Sequence, residues 1–315
     1  MYYINNYTEG NKLTGIYLCK QKQILKTKAG KTYYSLILQD KTGTLDGKIW
    51  EITNAIAEFD SMDYIACEGS ITSFQNNLQA NINRVRVADE GEYDPTDYIP
   101  CTDKDIDEMK RELAGFVDSV KNTYLKQLLL HYFNDGNEFY KQFISHSAAK
   151  SVHHSFYGGL LEHTLAVTRM CDLFAKQYPR INHDLLITAS LLHDMGKVYE
   201  LTEFPANDYS DDGNLMGHIY IGARRIENTC ESMDGFPAKL RSELIHCILA
   251  HHGKLEFGSP KTPGLIEALA LHMADNTDAK LQTMTEVLDA ARDNMEWLGN
   301  NRFLESNIRQ THSWN

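Results

Sequence analysis

Two adjacent residues, His193 and Asp194, close the apolar run from Leu185-Leu186-Ile187 to Leu191-Leu192, and the same side-chain types recur around them: His163 upstream, then His218, His251, His252 and Asp275. A carboxylate after such a run costs several kcal/mol unless a cation, a partner or a helix end meets it. The intervals are 30 residues from His163 to His193, 24 from Asp194 to His218, 33 from His218 to His251 and 24 from His251 to Asp275. Each suits one helix and its connection, so every one of these side chains can come from a different helix of one bundle. Imidazole nitrogens and carboxylate oxygens suit Mn, Fe, Zn or Ni, and an adjacent His-Asp pair lets the carboxylate bridge two ions while the imidazole binds one.

The candidates differ in how much each says alone. His163 precedes the helical run Leu165, Val167, Met170, Cys171 and Phe174 and lies beside its buried stripe, where a lone histidine is more often a satisfied core residue. His218 opens a segment with Ile219, Ile221, Ala223 and Ile226, His251 and His252 close the run Leu244 to Ala250, and Asp275 lies one turn beyond Leu271. Gly196 and Gly253 read as helix stop signals. His131, His146, His183, His246, His272 and His312 have no place in the pattern and read as structural or surface residues.

Residues 13 to 88 carry a different period. Strands are expected near Leu13-Lys20, Tyr33-Gln39, Thr44-Trp50, Tyr64-Thr72 and Leu78-Val87, with turns at Asp40-Lys41-Thr42-Gly43 and Gln75-Asn76-Asn77. Between the third and fourth, Ile52, Ala55, Ile56 and Phe59 share one helical face. Five strands with a helix after the third is the order of the OB-fold, a barrel that binds oligonucleotides by stacking and basic side chains. Tyr33, Tyr34, Lys48, Trp50, Phe74, Arg84 and Arg86 are available for that, although alternation turns one of Tyr33 and Tyr34 inward whatever the function. Ala29-Gly30-Lys31-Thr32 imitates the end of a phosphate loop, but Leu25 stands where its first glycine belongs and a strand follows.

The acidic segment Asp89-Glu90-Gly91-Glu92-Tyr93-Asp94-Pro95 to Pro100 lacks either period and reads as a linker. The chain is therefore a multidomain α and β protein. Residues 1–90 form a five-stranded OB-fold nucleic-acid-binding barrel, 91–103 the linker, and 104–315 an all-α helical bundle with the metal site within 158–280. The net charge of −12 over 315 residues argues against broad nucleic-acid affinity. It is uneven: residues 1 to 88 hold 10 Lys+Arg and 8 Asp+Glu, so the acidic remainder contains the proposed metal site, where cations would neutralise several carboxylates. The N-terminus has no basic segment followed by an apolar one, and no run of 18 apolar residues occurs; a cytoplasmic chain without a membrane span is expected. The six scattered cysteines read as free core thiols. Homo-oligomerisation is left open.

The ordered set, with Leu191-Leu192-His193-Asp194-Met195-Gly196-Lys197, resembles the HD-domain superfamily of metal-dependent phosphohydrolases. Joined to an OB-fold, and with Ser151-Val152-His153-His154 and Gly158-Gly159-Leu160-Leu161-Glu162-His163-Thr164, the chain is similar over nearly its whole length to the YhaM family of bacterial 3'-5' exoribonucleases. The resemblance implies removal of nucleotides from the 3' end of single-stranded RNA, and of single-stranded DNA, as nucleoside 5'-monophosphates, by a two-metal-activated water. Two divalent ions are implied, Mn first and Fe, Ni or Zn as alternatives. His163, His193, Asp194 and Asp275 would hold one ion and Asp194, His218 and His251 the second, with Asp194 bridging. His252 ranks below His251, because the first histidine of such a pair usually takes the second metal in related sites. Asp194 and Lys197 are the catalytic candidates, Lys197 by neutralising charge on phosphoryl oxygens. His153 and His154 either contact the terminal nucleotide or pack at a helix entry. A phosphohydrolase of small nucleotides and a di-iron HD-fold oxygenase are the alternatives.

Overall fold

Alternation carries the first strands into a closed barrel. β1 (Lys12–Lys26), β2 (Thr32–Asp40), β3 (Gly43–Ile49), β4 (Tyr64–Phe74) and β5 (Asn77–Val87) join in the order β1-β2-β3-β5-β4. Leu36 and Leu38 of β2, Leu45 and Ile49 of β3, Ile65 and Ile71 of β4, and Ala80 and Ile82 of β5 fill the interior, while Ser35, Asp46, Lys48 and Asn81 stay partly exposed between them. β1 closes the ring by pairing with β4 through Lys12–Leu18 and with β2 through Leu18–Lys26, shifting register between Cys19 and Gln21. The parallel β3–β5 pairing over Asp46–Lys48 gives this barrel its OB-like topology. The computed structural model describes residues 2–75, 77–150, 154–289, 291 and 296–312; Asn76, in the expected β4–β5 turn, lies outside them.

The helix expected over Glu51–Phe59 is absent. That segment turns at Asn54-Ala55 and then pairs with β5, with a bridge from Ile56 to Val85, an Ala57 N–H donating to the Val85 carbonyl at 2.9 Å and a Val85 N–H donating to the Ala55 carbonyl at 3.0 Å. Phe59 reaches the barrel core and Ile52 stays exposed without any helix. The open edge of β5 offers these backbone groups partners that four apolar side chains at helical spacing do not replace.

The chain divides into two compact units, Met1–Cys101 with Phe204–Ala206 and Thr102–Glu203 with Asn207–Asn315. The first includes most of the acidic segment, where Tyr98 and Ile99 are buried and Tyr93 stacks on Tyr64 at 4.0 Å between ring centroids. The second is built of α1 (Ile106–Ser119), α2 (Thr123–Tyr132), α3 (Glu138–Ser145), α4 (Gly159–Gln177), α5 (His183–Leu192), α6 (Lys197–Glu200), α7 (Asp211–Ser232), α8 (Ala238–Ala250) and α9 (Ile266–Asp289). A two-stranded ribbon, β6 (Trp297–Asn301) and β7 (Ser306–Arg309), adds to the helical expectation.

α5 is buried at every position from Leu185 to Leu192 and packs against α2, α4, α8 and α9, as a helix apolar on all sides must. α7 breaks at Gly217 (φ 71°, ψ 156°), so His218 starts a fresh helical segment. Gly196, expected to stop α5, has an ordinary helical backbone instead. What it supplies is space: a Cβ there would lie 2.0 Å from the His218 carbonyl oxygen and 2.9 Å from the Gly222 nitrogen. Gly196→Ala should therefore push α7 from α6 and cost about 1–3 kcal/mol or more in denaturant unfolding. An unchanged unfolding midpoint would show that the approach is not tight.

Candidate functional site

Five helices deliver the side chains singled out in the sequence to one place. His163 comes from the first turns of α4, His193 and Asp194 follow α5, His218 restarts α7, His251 follows α8, and Asp275 lies within α9. His163, His193, Asp194 and His251 are almost wholly buried. The Nε2 atoms of His163 and His193 are 3.2 Å apart. Asp194 Oδ2 lies 3.3 Å from His163 Nε2 and 3.4 Å from His193 Nε2, and Asp275 Oδ1 lies 3.3 and 3.9 Å from the same two atoms. The other Asp194 oxygen, Oδ1, faces His218 Nε2 at 3.5 Å and His251 Nε2 at 3.6 Å. Donors bound at about 2.1 Å to one ion sit roughly 3.0–3.4 Å apart at octahedral and tetrahedral angles. Both groups are close to that spacing, and the two oxygens of Asp194 divide between them.

The chemistry of the donors fits divalent cations. Among the described residues, Asp194 Oδ1, His218 Nε2 and His251 Nε2 are buried with no hydrogen-bond partner, a costly arrangement unless something positive lies between them. The Nδ1 atoms are all engaged: His193 with the Ser190 carbonyl at 2.7 Å, His251 with the Ile248 carbonyl at 2.7 Å, His163 with Asp278 Oδ2 at 2.7 Å, and His218 with Glu200 Oε1 at 2.9 Å. Bonding at Nδ1 leaves Nε2 to a metal. His252 points the same way, with Nδ1 on the Phe257 carbonyl at 2.9 Å, and groups with His218 and His251.

Charge is arranged to match. Burial pushes Asp194 up, but the Lys197 ammonium and the surrounding imidazoles more than reverse it and hold the carboxyl well below its usual range. Lys197 Nζ lies 2.6 Å from Asp194 Oδ2; burial lowers its pKa, and Asp194 raises it by more. Burial moves His251 down, and His252 to about 3, so both are neutral at pH 7. Burial also lowers His163, yet Asp194, Asp275 and Asp278 outweigh it and hold its imidazole protonated.

Asp278 and Glu200 were missed in the sequence. Asp278 accepts from both His163 and His154, the second contact being 3.0 Å from His154 Nε2 to Oδ2. Glu200 accepts from the ring and the backbone N–H of His218. Asp278 follows Asp275 by one helical turn, a spacing that could have found it. His154 is buried against Asp278, and His153 lies outside the described residues. His272, read as structural, donates its Nδ1 to the His251 carbonyl at 3.0 Å.

The barrel residues separate into two groups. Tyr33 stacks on Trp50 at 4.7 Å on the outer face of β2 and β3; Trp50 is 42% exposed and donates to Asn81 Oδ1 at 3.0 Å. Lys48 shares this face, bonded to Asp46 at 2.6 Å and Ser35 at 2.7 Å. Phe74, 59% exposed, borders a groove of about 410 Å³ with Asp46, Leu78 and Gln79. Arg84 and Arg86 lie further along β5 than its pairing with β3, where Arg84 approaches Glu68 at 3.5 Å and Arg86 clasps Glu92 with two bonds. Tyr34 turns inward to Phe59.

Residues 160–280 match the family model described as HD domain. Every proposed ligand lies in that span, and the matched region follows the OB-like barrel in the chain. Among solved structures, the p204 HINb domain is 16% identical with a TM-score of 0.23, covering 27% of this chain and 46% of its own, so this chain spans less than half of it. The second OB-fold domain of replication protein A from Methanococcus maripaludis is 18% identical with a TM-score of 0.22, covering 29% of this chain and 96% of its own. Among the described residues, no helix is long and apolar enough to cross a membrane. Cys19, Cys67, Cys171, Cys230 and Cys247 are free, buried thiols.

Metal uptake should release protons near neutral pH, because an ion at His163 Nε2 displaces the proton that Asp194 and Asp275 favour there. Affinity should accordingly weaken as pH falls. Titration calorimetry of Mn²⁺ in buffers of different ionisation enthalpy reads this release; heats independent of the buffer would contradict it.

Proposed function

We propose that this chain is a metal-dependent 3'-5' exoribonuclease that hydrolyses single-stranded RNA, and single-stranded DNA as a second substrate, to nucleoside 5'-monophosphates. The observation that carries the hydrolytic reading is the division of Asp194, with one oxygen facing His163 and His193 and the other facing His218 and His251. Two divalent ions, Mn foremost, would lower the pKa of a nucleophilic water and offset charge on the phosphoryl group. Asp194 and Asp275 with His163 and His193 would hold one of them, and Asp194 with His218, His251 and the adjoining His252 the other.

Lys197 has the second role. Its ammonium is held at the site by Asp194, and once cations share that carboxylate it is available to a phosphoryl oxygen on which charge accumulates. His154, buried on Asp278, serves the site from behind rather than the nucleotide. RNA as substrate is supported by the barrel, whose Tyr33–Trp50 stack and exposed Phe74 offer surfaces on which bases of any sequence stack. Attack from the 3' end rests on the resemblance of the motifs to the YhaM family. A small-nucleotide hydrolase would have the same metal centre but no use for that aromatic face.

Incubation of 5'-labelled single-stranded RNA with Mn²⁺ should give a ladder shortening one nucleotide at a time from the 3' end, with none when metal is chelated. Internal cuts would overturn the polarity, and no cleavage with any divalent metal would overturn the substrate. Asp194→Ala should lose about a thousandfold or more in turnover while still binding RNA. Trp50→Ala should weaken RNA binding by about 1–3 kcal/mol in a fluorescence anisotropy titration; unchanged affinity would remove the barrel face from the reading.

A further inference from the structure

The imidazoles of the centre are braced in two different ways, and the difference follows from where each stands on its helix. His193 and His251 follow the C-terminal turns of α5 and α8, where the last four carbonyls lack intrahelical amide partners. Two of those carbonyls, of Ser190 and Ile248, receive their Nδ1–H groups at 2.7 Å. His163 sits in the first turns of α4 and His218 at the restart of α7. The free backbone groups at a helix start are N–H donors, which cannot brace an imidazole that must itself donate. An acceptor has to come from another element, and in both cases it is a carboxylate: Asp278 from α9 for His163, Glu200 from α6 for His218.

Sorted by the ion each would serve, His163 (carboxylate-braced) falls with His193 (carbonyl-braced), and His218 (carboxylate-braced) with His251 (carbonyl-braced). We propose that Asp278 and Glu200 are the positioning residues of the two halves of the centre, each setting the tautomer and aim of one imidazole and so tuning the affinity of one ion alone. This rests on the reading of the centre as a metal pair. Asp278 is itself held: its Oδ2 receives His163 Nδ1 at 2.7 Å and His154 Nε2 at 3.0 Å, so its rotamer is fixed from two sides. The His154 backbone is held in turn, its carbonyl accepting from the Ala148 N–H at 3.0 Å, and Gly159, lacking a Cβ, lets that carbonyl approach closely. Glu200 is held by the His218 backbone N–H at 3.0 Å as well as by the ring. Neither carboxylate is a ligand in this arrangement, because each meets its imidazole at Nδ1, the nitrogen turned from the ion.

The test is Mn²⁺ titration calorimetry on the full, chelator-stripped chain, with far-UV circular dichroism of the metal-free proteins as the control for folding. Asp278→Asn should weaken one of two Mn²⁺ binding steps by about 10–100-fold and leave the other unchanged, and Glu200→Gln should do the reverse. The assignment is made on a His251→Ala background, where one strong step remains: Asp278→Asn should weaken that step and Glu200→Gln should not. Asp278→Glu, which restores the carboxylate and its charge, should recover part of the loss, as a merely structural role would not. The proposal falls if Asp278→Asn leaves both steps within about twofold of wild type, or if both variants weaken both steps alike. Should Glu200→Gln fail to fold, because Glu200 also receives the first N–H of the α7 segment, the Asp278 arm decides. Wild type that takes up no Mn²⁺ overturns the metal centre and this proposal with it; wild type that takes up two but cleaves no RNA overturns only the exonuclease reading.

Discussion

A buried carboxylate whose two oxygens face opposite ways is the constraint to which the helical unit is built. Asp194 cannot be left alone at that depth, and each neighbouring element supplies part of the answer. Oδ2 takes the Lys197 ammonium and the two imidazoles of α4 and α5; Oδ1 takes the imidazoles of α7 and α8 at distances too long for good hydrogen bonds. The close approach of α6 and α7 at Gly196 is what lets His218 reach Oδ1. Asp194, Asp275, Asp278 and Glu200 bring four negative charges and Lys197 one positive. Two divalent ions would leave a surplus of one positive charge, which is the charge of one phosphodiester with its sign reversed. An acidic unit can in this way attract a polyanion locally.

The barrel contributes by other means. Its candidate cations are already matched: Lys48 to Asp46, Arg84 to Glu68, Arg86 to Glu92. Cations engaged with carboxylates release few counterions when nucleic acid binds, so the salt dependence of binding should be shallow. What stands exposed is aromatic, with Trp50 held upright by its bond to Asn81 and by Tyr33. Stacking is indifferent to base identity, an indifference that the proposed stepwise shortening of a strand would require.

How much of this was legible in the sequence varied with how local the signal was. The five strands were, because inward Leu36 and Leu38, and Leu45 and Ile49, alternate with polar neighbours. The gathering of His163, His193, Asp194, His218, His251 and Asp275 in one place was, because imidazole and carboxylate at the ends of apolar helices need one another as partners. The helix over residues 51–59 was misread because Ile52, Ala55, Ile56 and Phe59 satisfy a helical period by themselves, whereas the choice is made by the distant β5 edge. Gly196 was read as a stop when its reason is the proximity of His218. Asp278 and Glu200 escaped for a similar cause: a carboxylate on a helix looks like solvated surface until the partner it meets, His163 or His218, is known to be 115 or 18 residues away.

Helix ends explain why the centre stands where it does. α5 and α8 finish beside it, α6 begins there and α7 restarts there. The C-terminal ends of α5 and α8 carry partial negative charge, which favours cations near His193 and His251. Their unsatisfied carbonyls orient those same imidazoles, so backbone groups that every helix leaves unpaired become the brace for two of the five histidines proposed as ligands. The start of the α7 segment has the opposite polarity and would repel a cation; Glu200 cancels that by capping the His218 N–H and bracing its ring with one carboxylate. The arrangement thus draws on helix termini at His193 and His251 and on two carboxylates at His163 and His218 for its orientation, which is why its determinants extend beyond the residues that would touch the ions.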